Sequence, residues 1–152
     1  MKGNTLLNTV SITIVARNNS PASAAKDVVH NEAIASWAIL FESERWFCIE
    51  RVAIALLPDN SPVGIATLSP HGELGDIDEA PQIVGVWVHP DQRGQSIGTA
   101  LLAALADESQ RLYNKAPKLF AATRAGNALA KRALTSGVNI DVVDVGASSD
   151  LP

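Results

Sequence analysis

The segment VWVHPDQRGQSIGTALLAAL, from Val86 to Leu105, places an arginine, two glycines and a serine where a strand pattern gives way to a helix pattern. A helix N-terminus carries about four unpaired N–H groups and a partial positive charge. A tight loop before it directs several N–H groups at one point, and such a point binds an anion, usually a phosphate. Gly94 and Gly98 permit this wrap. Side-chain donors in the same stretch are Arg93, Gln95, Ser96 and Thr99.

The alternative interpretation of this stretch is an ordinary turn followed by a helix cap. Two known phosphate motifs do not fit, because the stretch lacks both the Gly-Lys-Ser/Thr of a P-loop and the third glycine of a Rossmann fingerprint. The single cysteine, Cys48, excludes a disulfide within the chain and a cysteine-based zinc site. The three histidines form no i,i+4 pair, so we predict no metal.

The elements around this loop are predicted from hydrophobic periodicity and turn residues. Strands are predicted at Val10–Ala16, Val52–Leu57, Val63–Leu68, Gln82–Val88, Lys118–Ala122 and Val138–Val145. Helices are predicted from a start at Ser20–Pro21 to about Ser43, with a bend near His30–Asn31, and at Ile97–Tyr113 and Asn127–Thr135. Asn127 is predicted near the N-cap of the last helix and Gly137 at its C′ position. This order predicts an α/β (α+β) domain with a single mixed, mostly antiparallel sheet flanked by helices.

Length and composition restrict the class of protein. The chain has 152 residues, of which 47% are hydrophobic and 18% charged, so we expect one packed domain over residues 1–152, with loose termini at 1–9 and 146–152. The formal net charge of −4 argues against a nucleic-acid surface. No apolar run approaches the roughly 20 residues that span a bilayer, and the N-terminus lacks a signal-peptide pattern. A cytoplasmic location without membrane attachment is therefore expected.

The loop and its flanks resemble the GNAT superfamily of acetyl-CoA-dependent N-acetyltransferases. Its signature Q/R-x-x-G-x-G/A is matched by Arg93, Ser96 and Gly98, with serine replacing the first glycine. A second family pattern has an asparagine, an alanine three residues later, an aromatic at seven, and glycine and an aromatic at ten and eleven. The chain has Asn127, Ala130, Leu134, Gly137 and Val138 at these positions, with both aromatics replaced by aliphatic residues.

The resemblance implies an acyl-CoA N-acyltransferase-like fold with acetyl-CoA as cosubstrate. It implies that the loop amides from Arg93 to Gly98 hold the CoA pyrophosphate, and that the pantetheine arm runs beside Val86–Val88. A backbone N–H there, of Val86 or Val88, is implied to polarise the thioester carbonyl. The Trp87 side chain alternates with both valines, so we expect it on the opposite face. The implied cofactor-binding residues are Val86, Trp87, Val88, Arg93, Gly94, Gln95, Ser96, Ile97, Gly98, Thr99 and Asn127.

Proton transfer is the weaker part of the resemblance. The family's usual proton donor, a tyrosine on the last helix, is replaced by Leu134, and the only tyrosine in the chain is Tyr113. The acidic segment HGELGDIDEAP offers Glu79 as general base, with Asp78 second; alternatively it is a solvated loop or attracts a cationic substrate. The implied function is acetyl transfer to a primary amine of a small molecule or protein. The alternative is an acyl-CoA-binding regulatory module with weak or no catalysis.

The family usually has one strand more than this order of elements provides. We therefore expect that the final strand is missing or that a partner subunit supplies it, and a homodimer is the assembly that would follow. An open sheet edge favours such pairing.

Overall fold

The structure, a computed structural model, describes residues 10–32, 44–70, 81–94, 96–121 and 124–144. Within these residues six strands form one sheet, flanked by helices. The strands are β1 (Ser11–Ala16), β2 (Arg51–Leu56), β3 (Pro62–Ser69), β4 (Gln82–Val88), β5 (Lys118–Ala121) and β6 (Asp141–Asp144). The helices are α1 (Ser20–Asn31), α2 (Ile97–Tyr113) and α3 (Arg124–Thr135), with short 3₁₀ segments at Glu44–Cys48 and Pro90–Gln92.

The sheet is mixed, and its strands lie in chain order from β1 to β6. Strands β1 to β4 pair antiparallel, whereas β4–β5 and β5–β6 pair parallel with α2 and α3 as crossovers. Parallel neighbours need such a crossover because a short turn cannot return the chain to the same end of the sheet. The predicted mixed, mostly antiparallel sheet flanked by helices is confirmed.

A hydrophobic core covers each face of the sheet. On one face α2 packs Leu101, Leu102 and Leu105 onto strand residues, and all three leucines are fully buried. On the other face α1 contributes the small buried residues Ala22 and Ala25 to a cluster that also contains Trp87 of β4. Trp87 therefore faces α1, as its alternation with the neighbouring valines predicts.

Helix α2 lies close to the sheet at Gly64 of β3. A Cβ atom at this position would be 3.1 Å from Leu101 Cδ1 and 3.3 Å from Ile97 Cγ2. Both contacts are with side chains of the first turns of α2, so a methyl group at residue 64 would be tightly packed and these side chains would have to shift by a few tenths of an ångström.

The far end of α2 is fixed to β2 by charged groups. Arg51 Nε donates to Glu108 Oε2 at 3.2 Å, and Arg111 also donates to this carboxylate. The hydrogen bonds from Arg111, reinforced by Arg51, hold the pKa of Glu108 below its usual value. The Tyr113 hydroxyl donates to Glu50 Oε1 at 3.2 Å. Burial and the Glu50 charge raise the pKa of Tyr113 to about 12.

Two predicted boundaries were wrong. Helix α3 begins at Arg124 rather than near Asn127. Asparagine is only mildly unfavourable inside a helix, so its preference for caps did not end the helix at residue 127. Strand β6 begins at Asp141 rather than Val138, because the Val138 N–H donates to Ala133 O and closes the C-terminus of α3. The predicted loose termini, and the predicted helix after residue 32, lie outside the described residues.

Helix length also bears on membrane attachment. In the described part of the chain, no helix is both long and apolar enough to cross a membrane.

Candidate functional site

A cleft of about 630 Å³ lies where β4, the following loop, α2 and α3 meet. Helix α2 begins directly after the loop, and α3 packs beside α2. The walls of the cleft are therefore formed by β4, α2 and α3, together with the loop between β4 and α2. The lining residues are Val86, Trp87, Val88, Gln92, Arg93, Gly94, Ser96, Ile97, Gly98, Thr99, Ala125, Leu129 and Arg132.

Most of the residues predicted to bind the cofactor line this one cleft. They are Val86, Trp87, Val88, Arg93, Gly94, Ser96, Ile97, Gly98 and Thr99. Three predicted residues, Gln95, the expected base Glu79 and the second candidate Asp78, lie outside the described residues. Asn127 lies on α3 but is not among the residues that line the cleft.

The loop before α2 turns through two residues with left-handed backbone. Gly94 has φ = +85°, and Ser96, the N-cap of α2, has φ = +64°. The left-handed region suits glycine and is costly for most other residues. Ser96 therefore occupies a conformation that glycine adopts freely, which explains why the resembling family has glycine at this position.

Several main-chain N–H groups of the loop have no main-chain acceptor among the described residues. Between described residues, the last main-chain hydrogen bond before the helix is from Arg93 N to Pro90 O, and the first after it is from Ala100 N to Ser96 O. The N–H groups of Gly94, Ser96, Ile97 and Gly98 donate to no described main-chain acceptor in this interval. Unpaired donors at the positive end of a helix attract an anion.

His89 and Arg93 hold the loop against the end of β4. The His89 N–H donates to Val63 O at 2.8 Å, and His89 Nδ1 accepts from the Asp91 N–H at 3.1 Å. Arg93 Nε donates to Val88 O at 2.7 Å. This bond uses one guanidinium nitrogen and keeps the cation beside the exposed loop amides.

Strands β4 and β5 diverge beside the cleft. They pair only at Gln82–Lys118 and Ile83–Leu119, so the rest of β4 has no strand neighbour on that side. The pairing of β3 and β4 shifts register between Thr67 and Leu68, which leaves Val84 without a partner. In a strand, alternate residues face opposite sides of the sheet, and a bulge of this kind reverses that alternation for the residues that follow it.

The bulge directs main-chain groups of β4 into the gap between the strands. Because His89 N bonds to β3, alternation turns the main-chain groups of Val88 and Val86 away from β3 and towards the gap. The bond from Arg93 Nε to Val88 O lies on this side. The cleft therefore offers an unpaired length of strand edge next to unpaired helix amides.

The charged lining of the cleft is cationic. Its charged side chains are Arg93 and Arg132, and no described lining residue is acidic, although the whole chain has a net charge of −4. Nor do three His, Cys, Asp or Glu side chains gather as a metal site would require anywhere in the described residues. Among the described lining residues there is no Ser–His or Cys–His pair for nucleophilic catalysis. Its geometry suits an extended ligand with an anionic part and a part able to pair with a strand.

Sequence reasoning named Asn127 on α3 but missed the residues of α3 that line the cleft. Ala125, Leu129 and Arg132 line the cleft at helical spacing, and this i, i+4, i+7 pattern was a readable signal. It was missed because the helix was predicted to start at Asn127, after the first of the three. Leu134, which the spacing assigns to the position of the family's tyrosine, is 48% exposed and does not line the cleft.

Comparison with protein families gives one match along most of the chain. The profile of the acetyltransferase (GNAT) family matches residues 21–136, which include the loop, α2 and α3. A comparison with curated proteins finds no match.

Comparison with solved structures gives the same fold. The acetyltransferase domain of xEco2 bound to a CoA conjugate matches 90% of this chain and 93% of its own, at 16% identity and a TM-score of 0.58. A GNAT family acetyltransferase from Brucella melitensis in complex with acetyl-CoA matches 68% and 71%, at 16% identity and a TM-score of 0.50. A GNAT family N-acetyltransferase from Escherichia coli in complex with CoA matches 68% and 59%, at 14% identity and a TM-score of 0.54. The chain spans less than two thirds of the length of two of the structures it matches.

Proposed function

Since the chain belongs to the acetyltransferase (GNAT) family, we propose that it transfers an acetyl group from acetyl-CoA to a primary amine of a small molecule or a protein. The observation that carries this proposal is the juxtaposition in one cleft of unpaired amides before α2 and an unpaired edge of β4. Acetyl-CoA has the matching chemistry, because a pyrophosphate and an amide-containing arm follow one another along the molecule.

The pyrophosphate is assigned to the start of α2. The N–H groups of Gly94, Ser96, Ile97 and Gly98 supply donors, and Arg93 and Arg132 supply positive charge. Gln95 and Thr99 are further proposed donors, and Asn127 is kept as a proposed contact from α3. The fit depends on main-chain groups, which explains why serine can replace glycine at position 96 provided the left-handed backbone is kept.

The pantetheine arm is assigned to the open edge of β4. Its amide groups would pair with the main chain of Val86 and Val88 as an additional strand does. We assign polarisation of the thioester carbonyl to the Val88 backbone N–H, with that of Val86 as the alternative. A fixed main-chain donor at a developing oxyanion contributes about 10²–10³-fold to rate.

The chemical step needs no nucleophile from the protein. The amine nitrogen of the acceptor attacks the acetyl carbonyl carbon, a C–N bond forms, the C–S bond breaks, and the sulfur leaves as a thiolate. Glu79 is proposed to take the proton that the amine loses, with Asp78 second. A thiolate is a fair leaving group near neutral pH, so the product thiol can gain its proton from water.

An acyl-CoA-binding regulatory module is the second candidate function. The described lining of the cleft carries no carboxylate, histidine, tyrosine or cysteine, and Leu134 stands outside it. A module of this kind would keep the amides and the strand edge but release CoA slowly or not at all.

Thermal stability in the presence of acetyl-CoA tests binding. A ligand at about 100 times its Kd stabilises a protein by about 2.7 kcal/mol, which for this length raises Tm by about 5–10 °C. We expect such a rise with 1 mM acetyl-CoA. No rise would refute both the enzyme and the binding module.

Release of CoA in the presence of amines separates the two functions. The panel contains a polyamine, an aminoglycoside, an amino acid and a peptide with a free N-terminus. Release that depends on one of these amines supports the enzyme, whereas binding without release supports the module. For an active amine, Glu79→Gln should lower kcat about 10²–10⁴-fold with unchanged acetyl-CoA affinity. The matched variant Asp78→Asn should change kcat far less.

Two further assignments belong to this proposal. We assign the protein to the cytoplasm, where acetyl-CoA is available, and we assign no metal to the reaction. We also propose a homodimer in which a partner strand covers the outer edge of β6, because β6 pairs with β5 on one side only among the described strands.

A further inference from the structure

His89 joins the end of β4 to the loop that precedes α2. Its main chain is held on both sides, because its N–H donates to Val63 O and its carbonyl oxygen accepts from the Gln92 N–H, each at 2.8 Å. Its ring stands edge-on to Trp87, with the ring centroids 5.8 Å apart and the ring planes at 76°. Such an edge-to-face contact favours one orientation of the imidazole. The two ring nitrogens of His89 therefore point in defined directions.

The two ring nitrogens face partners of opposite character. Nδ1 accepts from the Asp91 N–H at 3.1 Å, as the side chain of a capping residue does. Nε2 lies 4.0 Å from an oxygen of Glu32, at the C-terminal end of α1. A neutral histidine carries one ring proton, on either nitrogen. With the proton on Nε2, the Nδ1 lone pair is available to the Asp91 N–H and an N–H faces the Glu32 carboxylate. With the proton on Nδ1, two N–H groups would face each other, and a lone pair would face the carboxylate.

The side chain of Asp91 acts in the opposite sense but is the weaker influence. Its Oδ2 atom is 3.9 Å from Nδ1 and would attract a proton there. This side chain is 85% exposed, whereas that of Glu32 is 42% exposed, so water screens the Asp91 charge more strongly. The Asp91 main-chain N–H is also closer to Nδ1 than the carboxylate is. The described contacts therefore favour the tautomer with the proton on Nε2.

We propose that His89 is a positioning residue for acetyl-CoA, which holds the loop amides in place only in this tautomer, and that Glu32 stabilises the tautomer. The inference rests on the proposed function, since it takes the pyrophosphate to lie on those amides. The bond to Nδ1 fixes the short turn Pro90–Gln92, and this turn sets the course of the chain into Gly94. Because both ring nitrogens are committed, His89 has no free lone pair with which to take a proton from the acceptor amine.

Calorimetric titration with acetyl-CoA tests the role of Nδ1. In His89→Asn the side-chain oxygen is bonded to Cγ, as Nδ1 is in histidine, so this variant retains an acceptor for the Asp91 N–H. We expect its affinity to stay within about twofold of the wild type. His89→Gln moves the amide one carbon further and should weaken binding about fivefold, the effect of losing one capping hydrogen bond. The matched control His30→Gln changes an exposed histidine of α1 that does not line the cleft, and it should bind as the wild type does.

A double-mutant cycle tests the role of Glu32. Glu32→Lys places a cation beside Nε2, which favours a lone pair there and a proton on Nδ1. We expect it to weaken acetyl-CoA binding about threefold in the wild-type background, the scale of a partly exposed charge contact. In the His89→Asn background the same substitution should not weaken binding, because asparagine has no tautomer to change. Any general attraction of the added charge for CoA acts in both backgrounds and cancels in the comparison.

Nitrogen-15 NMR of the histidine rings observes the tautomer directly. At pH 8 the wild-type protein should show His89 with Nε2 protonated and Nδ1 unprotonated, the signals being assigned by their loss in His89→Asn. A proton on Nδ1 would overturn the inference, as would wild-type affinity in His89→Gln or an equal loss of affinity in His89→Asn and His89→Gln. Equal effects of Glu32→Lys in the two backgrounds would overturn the role of Glu32. Failure of the wild type to bind acetyl-CoA would overturn the proposed function, whatever the tautomer. Circular dichroism confirms that each variant is folded before the titrations are compared.

Discussion

Replacing Gly94 with alanine tests whether the backbone conformation of the loop holds the cosubstrate. Gly94 has φ = +85°, and no heavy atom lies within 4 Å of the position that a Cβ would occupy. The substitution therefore introduces no clash and removes no side chain. Holding an L-residue in the left-handed region costs about 1–2 kcal/mol of folding free energy. The alanine also reduces the freedom of the unfolded chain, which offsets about 0.4–1 kcal/mol of that cost. The net cost is about 1 kcal/mol.

Gly137 provides a matched control. It has the same φ of +85° and the same open space, but it closes the end of α3 and does not line the cleft. In Gly137→Ala the left-handed backbone could relax only if the hydrogen bonds of the helix cap were broken. We therefore expect the full cost to appear as a fall in Tm of about 2–4 °C. The loop at Gly94 has few contacts and can relax locally, so Gly94→Ala should lower Tm less. Binding must then restore the strained conformation, which weakens affinity about fivefold.

Calorimetric titration with CoA measures this difference. Weaker binding by Gly94→Ala with unchanged binding by Gly137→Ala is the expected result. If Gly94→Ala binds as tightly as the wild type, the left-handed turn is not required for binding and the assignment of the amides is refuted.

Three further substitutions test other parts of the structure. Leu134→Tyr should leave kcat within about twofold, because residue 134 is exposed and outside the cleft; a tenfold rise in amine-dependent CoA release would contradict this. Tyr113→Phe should flatten the alkaline stability profile in urea unfolding: the raised pKa of Tyr113 stabilises the fold fully below pH 10, and this contribution is lost as pH rises through 12. Glu108→Gln should lower the free energy of unfolding by about 1 kcal/mol at pH 7. The difference should shrink as pH falls towards the lowered pKa of Glu108, where the wild-type carboxylate becomes protonated; a difference that does not change as the pH is lowered would contradict this.

The elements with strong local signals were predictable from the sequence. The predicted bounds of β4 and α2 agree with the structure, because β-branched alternation and leucines at i, i+4 specify each period over its whole length. Gly137 was predicted at a helix C′ position, and its φ of +85° confirms the prediction. The conformation of such residues depends on their own backbone and on their nearest neighbours in the chain, so the local sequence is sufficient to predict it.

The shape of the site was not predictable in the same way. Which face of α3 lines the cleft depends on how α3 packs against α2, and the sequence does not state that contact. The separation of β4 from β5 after Ile83 likewise depends on a bulge at Val84. Gly85, next to Val84, is a residue type that marks bulges inside strands, but it does not indicate that β5 separates from β4 there. The lack of a described main-chain acceptor for the N–H groups of Gly94, Ser96, Ile97 and Gly98 follows from the three-dimensional course of the loop. The resemblance to a family supplied what the residues alone could not.

Gly64 acts as a spacer between the two ends of the proposed cosubstrate. It touches neither end, yet the absence of its side chain determines how near the first turns of α2 come to the sheet. The phosphate end is assigned to α2 and the acyl end to β4, so the reach between them is governed by a residue on a third element. Protein engineers who wish to alter this reach have in residue 64 a position whose substitution replaces none of the residues proposed to bind the cosubstrate.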